Sequence, residues 1–242
     1  MRAPNLSILI PLYNEEQTLI PGVRQLLIFL ERENLPAEIL LGCNGSTDAT
    51  SVIGKMLEEA LPGRVKFFRI PQRGHLGRVF RIAAEMAASP FLISVDVDMA
   101  VDTEFIPRAL ELLRESHIVV GSKLSGFQHR SAMRNAGTGF YVLCTQALLG
   151  LPYDDYSPGA KGYRLDAVKP LMNGISEDTG YVLDILFEAD RVGLKVATVP
   201  VACRDFRKSR FRLMRLAVGR FVHLFQVWGK NFIRRPSDHQ RK

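Results

Sequence analysis

The chain has little cysteine: Cys43, Cys144 and Cys203 are the only three, far apart and without a C-x-x-C pair. An odd, scattered set argues against a disulfide framework and against a zinc site, and it fits a reducing cytoplasm. There is no stretch of about 18 uncharged apolar residues, as a membrane-spanning helix requires. The opening MRAPNLSILIPLYNEE lacks the layout of a secretory leader, because acids follow its short apolar run at once. Repeats, low-complexity tracts and linkers are also missing. Residues 1–203 therefore read as one domain, followed by a distinct segment, 204–242.

Apolar residues make up 47% of the 242. That is ample for a packed core and far from a disordered composition. The net charge of +7 is unevenly spread. Residues 204–242 hold 12 Lys and Arg against 2 Asp and Glu, whereas the rest holds 20 against 23. A mildly acidic body with a strongly basic tail points to an anionic partner: nucleic acid, lipid headgroups or a phosphate substrate.

Apolar runs at 6–12, 38–42, 65–70, 91–95 and 117–121 predict strands. Helical spacing at 15–33, 49–61, 74–89 and 104–115 predicts the helices between them. Such alternation implies an α/β fold of right-handed βαβ units with a mostly parallel sheet flanked by helices. Further along, helices are predicted at 134–149 and 179–192, short strands at 159–164 and 195–200, and a turn-rich loop at 150–158. Ligands of such sheets bind beyond the carboxyl ends of the strands. YNE, NGSTD and DVD fall there, just after the first, second and fourth strands. Their shared edge points to a single site.

The stretch FLISVDVDMAVD, residues 91–102, runs from apolar to acidic. Asp96 and Asp98, two apart at a strand end, fall on one side of an extended backbone. Both then reach one divalent ion, and a hard cation such as Mg²⁺ or Mn²⁺ leaves positions for substrate phosphates. The bland alternative is a solvated acidic loop, and the neighbouring YNE and NGSTD weigh against it. General acid/base work is disfavoured because paired carboxylates beside a cation stay ionised. Asp102, followed by Thr103, reads as the cap of the next helix.

SILIPLYNEEQTL, NGSTDAT and SVDVDMAVD, in that order, resemble glycosyltransferase family 2 with the GT-A fold. DYSPGAKGYR resembles the D-x-x-S-G-F-[RK] stretch of dolichyl- and polyprenyl-phosphate hexosyltransferases. VGLKVATVPVACRDFRKSR resembles their G-x-x-[IV]-x-E-[VI]-P-[VI] strand followed by R-x-x-G-x-S-K. The resemblance implies a nucleotide-sugar donor, GDP- or UDP-hexose, with Pro11, Tyr13, Glu15, Asn44 and Asp48 lining its pocket. It implies Asp96 and Asp98 as ligands of Mg²⁺ or Mn²⁺ and of the donor diphosphate, and Asp155 as a further catalytic residue. It implies Lys123, Arg130, Arg134, Arg204, Ser209 and Arg210 as ligands of an acceptor phosphate. Asp184 aligns with the glutamate of the later D-x-E-L helix. Four departures stand out: Cys43-Asn44 for the usual Asp-Asp, QRGHLG for the N-x-G-x-G loop, Ala100 where mannosyl enzymes often carry glutamine, and Lys123 for the usual arginine.

The implied reaction is inverting transfer of a hexose to a polyprenyl phosphate. A lipid phosphate is already an oxyanion near neutral pH and needs no base, unlike a hydroxyl acceptor. Arginine forks suit its geometry. A family 2 transferase acting on a saccharide or other hydroxyl is the alternative, with Asp155 or Asp184 as its nearest candidate base. In the tail, FRLMRLAVGRFVHLFQVWGKNF places apolar residues at 214, 217, 221, 224, 225, 228 and 232, which is helical amphipathicity with a basic face. Such a helix lies in a membrane interface or packs on its own domain. The expectation is peripheral attachment at the cytoplasmic membrane face. A nucleic-acid-binding tail is the reading from another class. It is disfavoured because the aromatics follow a helical face rather than a stacking platform.

Overall fold

A computed structural model describes residues 4–99, 101–123, 128–129, 132–204 and 210–234; the side chains of 128–129, 132–135, 204, 210–217 and 231–234 are not described. The strands are β1 (Leu6–Leu12), β2 (Ala37–Asn44), β3 (Val65–Ile70), β4 (Phe91–Ser94), β5 (Ile118–Ser122), β6 (Gln128–His129), β7 (Lys161–Arg164), β8 (Val196–Pro200) and β9 (Cys203–Arg204). The helices are α1 (Leu19–Arg32), α2 (Thr50–Ala60), α3 (Leu76–Met86), α4 (Phe105–Leu112), α5 (Ala132–Leu149), α6 (Leu165–Val168), α7 (Tyr181–Arg191) and α8 (Arg210–Arg234).

Seven strands form one sheet in the order β3-β2-β1-β4-β7-β5-β8. β1 runs parallel to β2 and β4, β2 to β3, and β5 to β8. The exception is β7, which is antiparallel to β4 on one side and β5 on the other. The predicted βαβ succession thus holds through β4 and is then interrupted by an inserted strand. β2 runs two residues beyond its predicted end, because Cys43 and Asn44 still pair with β3. β7 starts two residues later than predicted, because Ala160 turns the backbone at φ +52°.

The apolar runs are continuous because both faces of the sheet are covered. Leu6, Ile8, Ile10 and Leu12 of β1 face one way, into a core with α1 and α4. Leu9 faces the other way, into a core built from α3, α5 and α7. Val95 and Val97 are buried while Asp98, between β4 and α4, is exposed. Gly22 of α1 makes this possible, since a Cβ there would stand 2.2 Å from the Val97 carbonyl. Asp102 accepts the Glu104 amide at 3.0 Å in the turn before α4, but it is not the expected cap: the N-cap of α4 is Glu104, without a side-chain cap bond.

The tail helix does not stand apart from the domain. Leu224 and Val227 of α8 are buried in the α5/α7 core, and Phe221 packs edge-on to Tyr141 at 5.3 Å. His223 lies over Gly180, where a Cβ would meet its ring at 2.5 Å. Its Nε2 pairs with Asp184 Oδ1 at 2.9 Å. Val218, Val222, Phe225 and Trp228 remain exposed on the outer side, with Phe140 and Leu143 of α5. The predicted single apolar face is therefore divided, one stripe spent on the domain and one left outward. Among the described residues no helix is long and apolar enough to cross a membrane.

Burial alone would lower the His223 pKa, but Asp184, with Asp178 beyond it, raises it above the ordinary value, and Lys230 opposes them. A raised folded-state pKa contributes stability that is complete below about pH 6.5 and is lost as pH rises through the folded value. Docking of α8 should accordingly weaken from neutral toward alkaline pH. Fluorescence of Trp228, the chain's one tryptophan, should report that loosening, and His223→Phe should abolish its pH dependence.

Candidate active site

The loops after β1 and β2 are sewn together. Asn14, at φ +53°, takes the Thr47 amide on Oδ1 at 2.9 Å and donates its own amide to Ser46 Oγ at 3.0 Å. The Glu15 amide donates to Thr50 Oγ1 at 2.8 Å, and that hydroxyl donates on to Asp48 Oδ1 at 2.5 Å. Asp48 Oδ2 accepts the Glu16 amide at 3.2 Å, while Glu16 Oε2 accepts the Ala49 amide at 3.0 Å. Burial pushes the Asp48 carboxyl slightly up, but the Thr50 hydroxyl and amide and the Glu16 amide together hold it below its ordinary value. The Thr18 hydroxyl donates to the Glu15 carboxylate.

A third loop, between β3 and α3, closes on this pair. Asn44 Oδ1 accepts the His75 amide at 3.1 Å. Gly45, at φ +69°, lets the 72–73 backbone lie against it; a Cβ would sit 2.6 Å from the Arg73 nitrogen. The Arg73 guanidinium then rests 4.1 Å from the Tyr13 ring centroid, a cation–π contact. Cys43, where the family usually has aspartate, is fully buried, with its sulfur 3.3 Å from Ser46 Oγ and 3.2 Å from Ser51 Oγ. It faces the inside of the loop rather than a ligand. Glu15, Asn44 and Asp48 thus use oxygens on the loops themselves and shape the wall beside Pro11 and Tyr13.

Because β7 runs backwards, its first residue lies at the carboxyl edge of the parallel strands. Lys161 is the register partner of Ser94 on one side and Val120 on the other. Loop 154–160 is thereby brought beside Asp96 and Lys123. Gly159 lies so close to Asp96 that a Cβ would stand 2.6 Å from Oδ2. Lys161 is fully buried; its Nζ donates to Asp155 Oδ1 and to the Gly159 carbonyl, both at 3.1 Å. Ser157 donates to the same Asp155 oxygen through its amide at 2.8 Å and its hydroxyl at 2.5 Å. Lys123 Nζ donates to Ser157 Oγ at 2.8 Å and stands 4.0 Å from Asp155 Oδ2.

Burial would raise the Asp155 pKa; Lys161, Lys123 and the Ser157 hydrogen bonds override it and hold the carboxyl well below the usual range. For Lys161, burial wins over Asp155 and lowers its pKa, while the Asp96 charge also acts to raise it. Asp184 takes the Ser176 amide at 2.7 Å and pairs with His223.

Asp96 is half-buried and Asp98 exposed, on a turn rather than an extended continuation of β4. Among the described residues no group of three or more His, Cys, Asp and Glu is arranged to hold an ion. Two carboxylates, one pressed against the Gly159 backbone, fit a hard cation that fills its remaining positions with phosphate oxygens and water.

The acceptor-side candidates are only partly described. His129 pairs with Arg204 in the short parallel β6–β9 ladder, and Val101 bridges to Cys203, so the start of RDFRKSR runs beside the DVD loop. Arg134 lies in α5 and Arg210 opens α8; their side chains, and that of Arg204, are not described. Arg130, Ser209 and Ala100 lie outside the described residues. Lys161, Ser157, Gly159 and Arg73 belong to the site but were not singled out from the sequence. The motifs DYSPGAKGYR and QRGHLG contain all four, and Lys161 occupies the [RK] position of the first.

Among known proteins, the chain is 26% identical over 220 residues to the undecaprenyl-phosphate 4-deoxy-4-formamido-L-arabinose transferase of Sodalis glossinidius, covering 89% of this chain and 65% of that one. It is 26% identical over 238 residues to glycosyltransferase AglD of Haloferax volcanii, covering 95% of this chain and 38% of that one. It thus spans less than two thirds of either relative. Glucosyl-3-phosphoglycerate synthase of Mycobacterium tuberculosis, solved with Mn²⁺, UDP-glucose and phosphoglyceric acid, superposes with a TM-score of 0.70 at 16% identity, over 93% of this chain and 80% of that one. The fold is therefore GT-A. The model for glycosyl transferase family 2 matches residues 7–171, every element from β1 to α6 that builds the edge just described, and the chain belongs to that family.

Proposed function

We propose that the protein transfers a hexose from a nucleotide-sugar to a polyprenyl phosphate in one inverting displacement. The observation that carries this choice of acceptor is the state of the two candidate bases. Asp155 is buried, receives Lys161 and Ser157, and is held well below the carboxylate range, so it is a poor proton acceptor. Asp184 is engaged by the Ser176 amide and by His223. A hydroxyl acceptor needs a base, whereas a phosphate monoester needs cations and alignment. The name of the Sodalis glossinidius relative, an undecaprenyl-phosphate transferase, supports the same acceptor class.

In this reading the nucleotide enters beside Pro11 and Tyr13, where Arg73 now covers the ring, between walls braced by Glu15, Asn44 and Asp48. Asp96 and Asp98 would hold Mg²⁺ or Mn²⁺, and that ion supplies positive charge for the departing diphosphate. Lys123 faces the acceptor phosphate, with Arg130, Arg134, Arg204, Ser209 and Arg210 as its further ligands. An acceptor oxygen attacks the anomeric carbon, the bond to the diphosphate breaks, and the nucleoside diphosphate leaves with the electron pair. The exposed stripe Val218, Val222, Phe225, flanked by basic residues, would rest on an anionic membrane surface. Each nearby Lys or Arg adds about 1 kcal/mol there.

Incubation with a panel of radiolabelled GDP- and UDP-hexoses and membrane lipids should yield a lipid-extractable, mild-acid-labile product. Asp98→Ala should abolish it, and product at normal rates with Mn²⁺ present would rule out the metal assignment. Gly159→Ala should displace Asp96 and cut turnover by about 10²-fold, the usual cost of an ångström's misplacement. Its thermal midpoint provides the folding control. Glu at 222 and 225 should abolish flotation with anionic liposomes while leaving the buried Leu224 and Val227 face intact; flotation that survives would exclude the membrane role of α8.

A further inference from the structure

Lys161 is completely buried in the sheet between β4 and β5. A buried ion pair is weak evidence for stability, because an apolar pair of similar volume often serves as well. Its position is the informative feature. Lys161 and Lys123 flank the same carboxylate from opposite sides. Lys161 makes the direct contact with Asp155 Oδ1 at 3.1 Å, whereas Lys123 stands 4.0 Å from Oδ2 and reaches the network through the neutral Ser157 hydroxyl at 2.8 Å. Without Lys161, Asp155 would be a buried carboxylate whose nearby cation, among the described residues, is Lys123. Coulomb attraction in that low-dielectric setting would then draw the two into contact.

We infer that Lys161 is a positioning residue for acceptor binding. By neutralising Asp155 it holds Lys123, through Ser157, at a distance where the Lys123 ammonium serves the acceptor phosphate instead of the carboxylate. This rests on the polyprenyl-phosphate reading above.

The test uses the whole chain with two probes: farnesyl phosphate in detergent for the acceptor side, and UDP or GDP without metal for the donor side, whose wall of loops after β1, β2 and β3 lies outside the Lys161 network. Lys161→Met should weaken farnesyl phosphate binding at least tenfold while nucleotide affinity stays within twofold. Lys161→Met/Asp155→Asn, which removes the carboxylate that would capture Lys123, should recover most of the loss, and Lys161→Arg should bind as wild type. If Lys161→Met does not fold, Ser157→Ala severs the tether without stranding a buried charge and should show the same selective loss. Normal farnesyl phosphate binding by either variant, or parallel loss of both probes, overturns the inference. A wild-type protein that binds nucleotide but no farnesyl phosphate overturns the acceptor reading itself, and this inference with it.

Discussion

A lysine without solvent must be neutralised where it lies, and Lys161 imposes that demand on the middle of the sheet. Asp155 and the Gly159 carbonyl answer it, with Ser157 donating to the same carboxylate, so loop 154–160 is wound tightly over the strand that follows. The winding brings the Gly159 backbone against Asp96 and draws Lys123 in from the end of β5. One buried charge thus sets the relation between Asp96 and Lys123. A carboxylate committed in this way is lost as a base, which favours an acceptor that arrives already ionised.

The donor side is organised differently, by backbone satisfaction rather than buried charge. Loops at a sheet edge carry amides that must find partners. Here the loops after β1 and β2 supply them to each other through Asn14, Thr50, Asp48 and Glu16. Asn44 extends the lacing to the loop after β3. A wall built this way has its loop amides satisfied by one another. The tail adds a third arrangement. Half of its apolar surface docks α8 on the domain through Leu224 and Val227, and the other half remains outward. The reading that the helix packs on its own domain therefore holds for one stripe, and the other faces outward.

Much of the fold was legible because its signals are local. The runs at 6–12 and 91–94 are apolar but for Ser7 and Ser94, as strands covered on both faces tend to be, and the polar clusters follow them at once. Turn chemistry marked Asn44-Gly45, whereas Asp102 accepts an amide in the turn before α4 without being its N-cap. Less was legible of the site. Lys161 looks like any strand-end lysine, and Asp155 is marked only by the family motif, which does not show its partner. Their pairing across six residues depends on a left-handed turn at Ala160 that alanine does not advertise. Arg73 meets Tyr13 across 60 positions, and only the close approach at Gly45 brings them together.

The sequence by itself determined the strand–helix alternation, the carboxyl-edge placement of YNE, NGSTD and DVD, and the family those motifs resemble, because each rests on neighbours along the chain. Only the tertiary structure decided that β7 runs backwards between β4 and β5, that Asp155 is spent on Lys161 and Asp184 on His223, and which stripe of α8 faces outward. Those outcomes depend on which charges are buried together, and burial is a property of the packed sheet rather than of any segment.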